Sequence, residues 1–179
     1  LIAALGDPAN KTKDALAALL NCEFMHSIDA PSLGILIPIL GRALRDRSAD
    51  LKRKSAAITG NICSMITDSK IVIPYFPQIL PGLKECLVDP IPDVRATSAK
   101  ALGSLMVGVG EVELSELVPW MMKTISSEVS PVERSGAAQG LAEIALSLNA
   151  SRRLEILTSI TSLQGSSKTA AREGMVWCL

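Results

Sequence analysis

The sequence has little aromatic content and a single histidine. Aromatic side chains make up 3% of the 179 residues, so the core must consist of Leu, Ile, Val, Met and Ala, which is typical of helices packed on helices. Nucleophilic and acid–base catalysis and zinc binding usually draw on clusters that include histidine or cysteine. The lone His26 lies in a loop, where we expect a structural or solvated side chain. We therefore expect no enzyme activity, no cofactor and no metal ion.

The chain also lacks net charge, long apolar runs and paired cysteines. With 18 basic and 18 acidic residues, any electrostatic interaction must come from local clusters. No apolar run approaches the roughly 18 residues that span a bilayer. The cysteines form no Cys-x-x-Cys pair and lie in apolar helical stretches, which predicts buried, reduced thiols in a cytosolic or nuclear protein. They are Cys22, Cys63, Cys86 and Cys178.

What the sequence does contain is an apolar pattern that recurs at intervals of 43 and 38 residues. Its spacing of 3, 1, 3 and 4 residues puts the pattern on one helical face. A recurrence of this length predicts an all-α solenoid of antiparallel helical hairpins. The three copies are Leu33, Leu36, Ile37, Leu40 and Leu44; Phe76, Ile79, Leu80, Leu83 and Leu87; and Leu114, Leu117, Val118, Met121 and Ile125.

Each copy predicts a first helix, and the segment after it predicts a second. We expect first helices at about 32–46, 70–88 and 113–127, and second helices at about 49–67, 92–109 and 131–148. A proline follows the middle pair of every copy and predicts a bend in each first helix, because proline removes one backbone hydrogen bond. These prolines are Pro38, Pro81 and Pro119.

The whole chain, residues 1–179, is predicted to be a single array of such repeats. Neither end has the polar outer face of a capping repeat, so we expect an excerpt of a longer superhelix. The predicted divisions are a partial repeat at 1–22, repeats at 30–67, 70–109 and 113–148, and a partial repeat at 151–179.

One basic residue recurs near the start of every second helix. Stacked repeats place such side chains one above another, so we expect them to bond neighbouring carbonyls or aspartates in a structural ladder between repeats. Asp50 and Asp93 are available partners. The ladder residues are Lys13, Lys52, Arg95, Arg134 and Arg172.

A second basic feature is not repeated. Between residues 42 and 54, six basic residues stand against Asp46 and Asp50, a local excess of four positive charges. This cluster, hereafter the basic surface, is either a solvated charged turn or a site that binds a ribosome or another partner through phosphates. No aromatic residue lies nearby, which argues against base stacking. It consists of Arg42, Arg45, Arg47, Lys52, Arg53 and Lys54.

Four segments carry a resemblance to a known family. They are SIDAPSL at 27–33, LKRKSA at 51–56, DPIPDVR at 89–95 and ERSGAAQGL at 133–141. The chain resembles HEAT-repeat proteins, and over about residues 20–148 it is similar to the translational activators of the general amino-acid control pathway. Members of that family are ribosome-bound activators of the kinase that phosphorylates initiation factor 2 alpha. The run LPGLK at 80–84 is also similar to the HEAT domain of elongation factor 3.

The resemblance implies a non-catalytic, ribosome-associated scaffold of the starvation response, in the cytoplasm and away from membranes. The implied partners are the ribosome, through rRNA backbone and ribosomal proteins, and an ABC-type ATPase; the kinase is contacted by a segment outside this chain. No family binding residue is carried over to this sequence. Two alternatives stay open: the HEAT domain of an elongation-factor-3-type translation ATPase, and an unrelated HEAT protein-interaction adaptor.

Overall fold

A computed structural model describes residues 1–22 and 28–178. Within those two ranges the chain forms ten α-helices and no β-strand, which confirms the all-α prediction. Short 3-10 helices lie at Ser69–Ile71, Ile73–Tyr75 and Leu163–Gly165. The α-helices are α1 (Ile2–Gly6), α2 (Pro8–Leu20), α3 (Ala30–Leu44), α4 (Ala49–Ser64), α5 (Phe76–Leu87), α6 (Pro92–Val109), α7 (Leu117–Ile125), α8 (Pro131–Ser147), α9 (Ala150–Ser162) and α10 (Thr169–Cys178).

Side chains cap the start of five of these helices. Each capping oxygen accepts a hydrogen bond from the backbone N–H three residues ahead, one of the four N–H groups that a helix start leaves without a partner. α6 begins at Pro92 instead, where a missing N–H costs nothing. The capping residues are Asp7, Asp29, Ser48, Ser130 and Asn149.

The even-numbered helices form one continuous layer. In it α2, α4, α6, α8 and α10 each pack on the next, while α3, α5 and α7 lie against α4, α6 and α8 respectively. The recurring apolar pattern is buried or half-buried in all three copies and forms much of the core. The helical-hairpin solenoid is therefore confirmed, whereas the division of the chain into repeats stays a prediction.

The first helix of the second copy is shorter than predicted. Instead of a helix over 70–88, residues 69–75 form two 3-10 turns, and α5 begins at Phe76. A continuous α-helix would need backbone N–H groups from Pro74 and Pro77, which proline does not have.

The first helix of the third copy also begins late. Residues 111–116 form turns and α7 begins at Leu117, so Pro119 is its third residue. Because the N–H groups of the first helical turn have no partner within the helix, Pro119 breaks no hydrogen bond and the predicted bend there is wrong. Pro38 and Pro81 do lie inside α3 and α5.

Successive odd-numbered helices contact each other in two different ways. α3 and α5 approach closely at Gly41, where a Cβ atom would lie 2.9 Å from the carbonyl oxygen of Gln78. At the equivalent position 43 residues later stands Lys84, whose Nζ lies 4.2 Å from the centroid of the Trp120 ring. That cation–π contact joins α5 to α7, and no such side chain covers the surface between α3 and α5 at Gly41.

The cysteines differ in burial. Cys63 and Cys86 are buried, Cys178 is half-buried and Cys22 is exposed, so the prediction of a buried thiol is wrong for Cys22, which follows the last turn of α2. All four are free thiols. Among the described helices, none combines the length and the apolar character needed to cross a membrane.

Candidate functional site

The basic surface occupies the end of α3, the turn that follows and the first two turns of α4. Arg42 lies in the last turn of α3, Arg45 and Arg47 lie in the turn, and the remaining three residues lie on α4. The turn is tight because Asp46 Oδ1 accepts a hydrogen bond from the backbone N–H of Ser48 at 2.8 Å, and Ser48 in turn caps α4. Two helix ends rich in basic residues are thereby held side by side.

Lys52 forms an ion pair with a residue of the next repeat. Its Nζ lies 2.7 Å from Asp89 Oδ2, in the turn before α6, and the Asp89 side chain is only 7% exposed. The hydrogen bond to Asp89 raises the pKa of Lys52 above its ordinary value. Burial alone would raise the pKa of Asp89, but the hydrogen bonds from Lys52 and from the Ile91 backbone N–H, with nearby positive charge, hold it below its ordinary value.

Arg53 and Lys54 share one carboxylate on their own helix. Arg53 lies 3.1 Å and Lys54 2.7 Å from the two oxygens of Asp50. The hydrogen bond from Lys54 is the main cause that lowers the pKa of Asp50, with a smaller contribution from Arg53. Because Asp50 is exposed to solvent, these two pairs are expected to add little to the stability of the helix.

Arg42, Arg45 and Arg47 are the remaining members, and all three are exposed. No carboxylate in residues 1–22 or 28–178 lies within 4 Å of any of them. Arg42 and Arg45 line an open groove of about 630 Å³ between α3 and α5. The basic surface thus contains three cations that pair with carboxylates of this chain. Its other three cations are available to a negatively charged group of another molecule.

The predicted ladder residues reach two kinds of partner. Arg95, Arg134 and Arg172 each donate to a backbone carbonyl of the turn before their own helix, at 2.9, 3.0 and 2.6 Å. Ion pairs to the next repeat occur at two steps, from Lys52 to Asp89 and from Arg134 to Glu173. Lys13 is exposed and makes no side-chain hydrogen bond within the part of the chain that the structure describes.

The acidic partners are not the ones that the sequence named. Asp50 pairs within α4, and Asp93 makes no ion pair with any described residue; Asp89 and Glu173 take that role. Asp89 could have been found, because it lies in the turn before α6 and so at the level of a basic residue on α4. Glu173 directly follows Arg172, and its partner Arg134 lies at the position of Arg172 in the preceding repeat. Among the earlier ladder residues, Lys13 is also followed by an acid, Asp14, whereas Lys52, Arg95 and Arg134 are not.

No metal-binding arrangement is found in the described residues. Among them no three His, Cys, Asp or Glu side chains are grouped so that they could hold a metal ion. His26 lies outside the described residues, so its predicted structural or solvated role stays a prediction.

Comparison with protein families identifies a matching family. The family model described as "Elongation factor 3/GNC1 HEAT repeat" matches residues 11–116, a stretch that contains the whole basic surface.

Known proteins resemble the chain over most of its length. It is 47% identical over 90% of its residues to the stalled ribosome sensor GCN1 of Homo sapiens, and 43% identical over 98% to the eIF-2-alpha kinase activator GCN1 of Dictyostelium discoideum. Elongation factor 3B of Saccharomyces cerevisiae is 32% identical over 66% of the chain. The chain spans only 6%, 7% and 11% of the lengths of these three relatives.

A similar fold occurs among solved structures. A crystal structure of computationally designed armadillo repeat proteins for modular peptide recognition superimposes with a TM-score of 0.53 at 20% sequence identity, covering 99% of this chain and 78% of that one. At this identity the likeness supports the solenoid fold alone.

Proposed function

Because the chain belongs to the elongation factor 3/GNC1 HEAT-repeat family, we propose that it is a non-catalytic part of a ribosome-associated scaffold in the cytoplasm. In this proposal the scaffold helps to activate the initiation factor 2 alpha kinase during amino-acid starvation. The kinase is contacted by another part of the longer protein, and an ABC-type ATPase is a further partner of this region.

The observation that carries the proposal is the difference in similarity between two groups of relatives. Proteins named as kinase activator or stalled ribosome sensor are 43% and 47% identical over at least 90% of the chain, whereas elongation factor 3B is 32% identical over 66%. Names of the first kind describe a sensor and an activator, which supports a scaffold role for this segment.

Within the segment, we assign the ribosome contact to the exposed half of the basic surface. Arg42 at the end of α3 and Arg45 and Arg47 in the turn that follows are exposed and have no carboxylate partner among the described residues. Binding a negatively charged surface therefore breaks no existing ion pair. Lys52, Arg53 and Lys54 would first have to leave Asp89 or Asp50. Their contribution is therefore expected to be smaller.

Co-sedimentation with purified ribosomes tests the assignment. The triple variant Arg42→Glu, Arg45→Glu and Arg47→Glu should lose most of the sedimenting fraction and most of its sensitivity to salt, while its helical circular dichroism stays that of the wild type. The matched control changes Lys11, Lys100 and Lys123 to Glu, which alters the net charge equally at exposed positions elsewhere. Equal loss in both triple variants, or no sedimentation of the wild-type chain, would overturn the assignment.

The alternative within the same family is the HEAT domain of an elongation-factor-3-type ATPase, which the similarity to elongation factor 3B supports. The full-length reading frame distinguishes the two. Nucleotide-binding P-loop motifs downstream of this segment would favour the ATPase, and a much longer run of helical repeats would favour the scaffold. The family match argues against an unrelated HEAT adaptor.

A further inference from the structure

The groove between α3 and α5 is a departure from the repeat. Its lining includes Pro38, Gly41 and Arg42 of α3, Arg45 of the turn that follows, and Pro77 and Gln78 of α5. Its volume of about 630 Å³ lies within the roughly 300–1,000 Å³ of typical ligand pockets.

Gly41 is the reason that the groove stays open. In the next copy the equivalent residue, Lys84, extends over Trp120 and covers the surface between α5 and α7. Gly41 has no side chain, and the carbonyl oxygen of Gln78 would lie only 2.9 Å from a Cβ atom there. The close backbone contact forms the floor of the groove, and the Arg45 guanidinium beside it donates a hydrogen bond of 3.4 Å to the Gly41 carbonyl oxygen.

The groove combines apolar walls with a net positive charge. Pro38 is half-buried and Pro77 is exposed, so two rigid apolar rings face solvent on opposite sides of the groove. Arg42 lies in the last turn of α3 and Arg45 directly follows that helix, and both line the groove. The one acidic lining residue, Asp46, accepts a hydrogen bond from the backbone N–H of Ser48 and makes no ion pair with either arginine, so the lining carries two positive charges and one negative charge.

We propose that this groove binds an acidic peptide segment of a partner protein, one that carries apolar side chains among its carboxylates. The carboxylates pair with Arg42 and Arg45, whose planar guanidinium groups suit bidentate contacts. An apolar side chain of the segment packs between Pro38 and Pro77. The inference rests on the proposed function only in that both use the basic surface.

A protein segment fits the groove better than a nucleic acid does. Phosphate backbones are held by positive charge on an open surface and do not need a concave apolar wall. Single-stranded bases stack on aromatic side chains, and none of the residues that line this groove is aromatic. The pairing of apolar walls with two arginines is what an acidic, partly apolar peptide requires.

Fluorescence anisotropy with defined peptides tests the proposal directly. The probe is the labelled peptide (Asp-Phe-Glu-Leu)3, compared with (Asp-Ser-Glu-Ser)3, with (Asn-Phe-Gln-Leu)3 and with an RNA hairpin of similar charge. The wild-type chain should bind the first peptide at least about tenfold more tightly than either altered peptide, since each altered peptide loses either the charge-assisted hydrogen bonds or the buried apolar side chains. No ribosome is present, so failure of ribosome binding and failure of this inference are distinguished.

Two kinds of variant locate the binding site. Arg42→Gln with Arg45→Gln should weaken binding of the first peptide at least about tenfold, at about 1.4 kcal/mol per factor of ten. The control Arg53→Gln with Lys54→Gln removes the same charge from residues that already share Asp50, and should change binding less than about threefold. Gln78→Trp fills the groove without changing its charge, and should weaken binding about fivefold or more.

Three results would overturn the inference. If the serine-containing peptide binds as tightly as the first one, charge alone is responsible and the groove has no role. If the RNA hairpin binds more tightly and only its binding depends on Arg42 and Arg45, the partner is a nucleic acid. If none of the probes binds at 1 mM, the groove is not a peptide site.

Discussion

Lys52 Nζ and Asp89 Oδ2 lie 2.7 Å apart and connect two successive repeats through a carboxylate that is almost completely buried. Asp89 also accepts a hydrogen bond from the backbone N–H of Ile91 at 2.9 Å, just before α6 begins. The same carboxylate therefore orders the turn before α6 and fixes one residue of the basic surface. The position of that surface depends on how α4 packs against α6.

Replacing Asp89 with Asn should lower the free energy of unfolding by roughly 1–3 kcal/mol, because a partly buried lysine loses its charged partner. Urea unfolding followed by circular dichroism measures the loss. Asp93→Asn is the matched control, since Asp93 is exposed and makes no ion pair within the described residues; its effect should stay within about 0.5 kcal/mol. A loss no larger for Asp89→Asn than for this control would contradict the structural role of the pair.

The same pair predicts a characteristic dependence of stability on pH. The pKa of Asp89 is lowered from 3.8 in the folded chain, so its contribution is complete above the unfolded pKa and is lost as pH falls through the folded value. The pKa of Lys52 is raised from 10.5, so its contribution is complete below 10.5 and is lost as pH rises through the folded value.

The experiment compares the wild type with the double variant Lys52→Met and Asp89→Asn across this range. The difference in unfolding free energy between them should be constant near neutral pH and should change progressively below about pH 4 and above about pH 10.5. The acidic side is the easier to measure. A difference that is the same at pH 3 and pH 7 would show that Asp89 has no lowered pKa in the folded chain.

The fold could be predicted from the sequence because its main signal is periodic. Apolar residues that recur with helical spacing must face a common core, and the three copies do so in the structure. The ends of the first helices were predicted less well. Their positions depend on individual prolines, such as Pro74 and Pro119, whose effect changes with their place relative to the helix start.

The candidate site was predictable only as a cluster of charge. The sequence groups six basic residues between positions 42 and 54, but it does not show that Lys52 forms an ion pair with a residue 37 positions away. That contact arises from the packing of α4 on α6, which places the turn before α6 beside the start of α4. The groove forms where Gly41, which has no side chain, lies against α5. Because the sequence does not show which residue of α5 faces Gly41, the groove could not be predicted from it.

Adding a single methyl group at Gly136 should have a strong steric effect. Gly136 lies on α8 against the end of α5, where a Cβ atom would overlap the backbone carbonyl oxygen of Leu87. Because the neighbour is backbone and cannot rotate away, Gly136→Ala should destabilise the chain by roughly 1–3 kcal/mol or more, despite the better helix propensity of Ala. Thermal unfolding measures the shift.

Gly165→Ala provides the comparison. Gly165 lies in a 3-10 turn, and a Cβ atom there would meet nothing within 4 Å. Its substitution should leave the midpoint of thermal unfolding within a degree or two of the wild type, in keeping with the small effect of most surface changes. If Gly136→Ala were equally neutral, α8 would have to lie farther from α5 than the structure places it.

The four thiols should react at widely different rates, which tests the burial of the core independently. Cys22 is exposed at the end of α2, whereas burial raises the pKa of Cys63 to about 12 and that of Cys86 to about 11. Since the thiolate is the reactive form, a pulse of N-ethylmaleimide at pH 8 should modify Cys22 first. Peptide mapping by mass spectrometry should find Cys63 and Cys86 slower by about a hundredfold or more.

Cys178 tests whether pKa or access controls the rate. It is half-buried, and burial raises its pKa to about 11, so it should react more slowly than Cys22 but respond strongly to pH. Between pH 8 and pH 9 its rate should rise about tenfold, as expected for a thiol far below its pKa. In 8 M urea all four cysteines should react at similar rates. Fast modification of Cys63 or Cys86 in the folded chain would mean that the contacts between α4, α5 and α6 open far more often than a packed solenoid core allows.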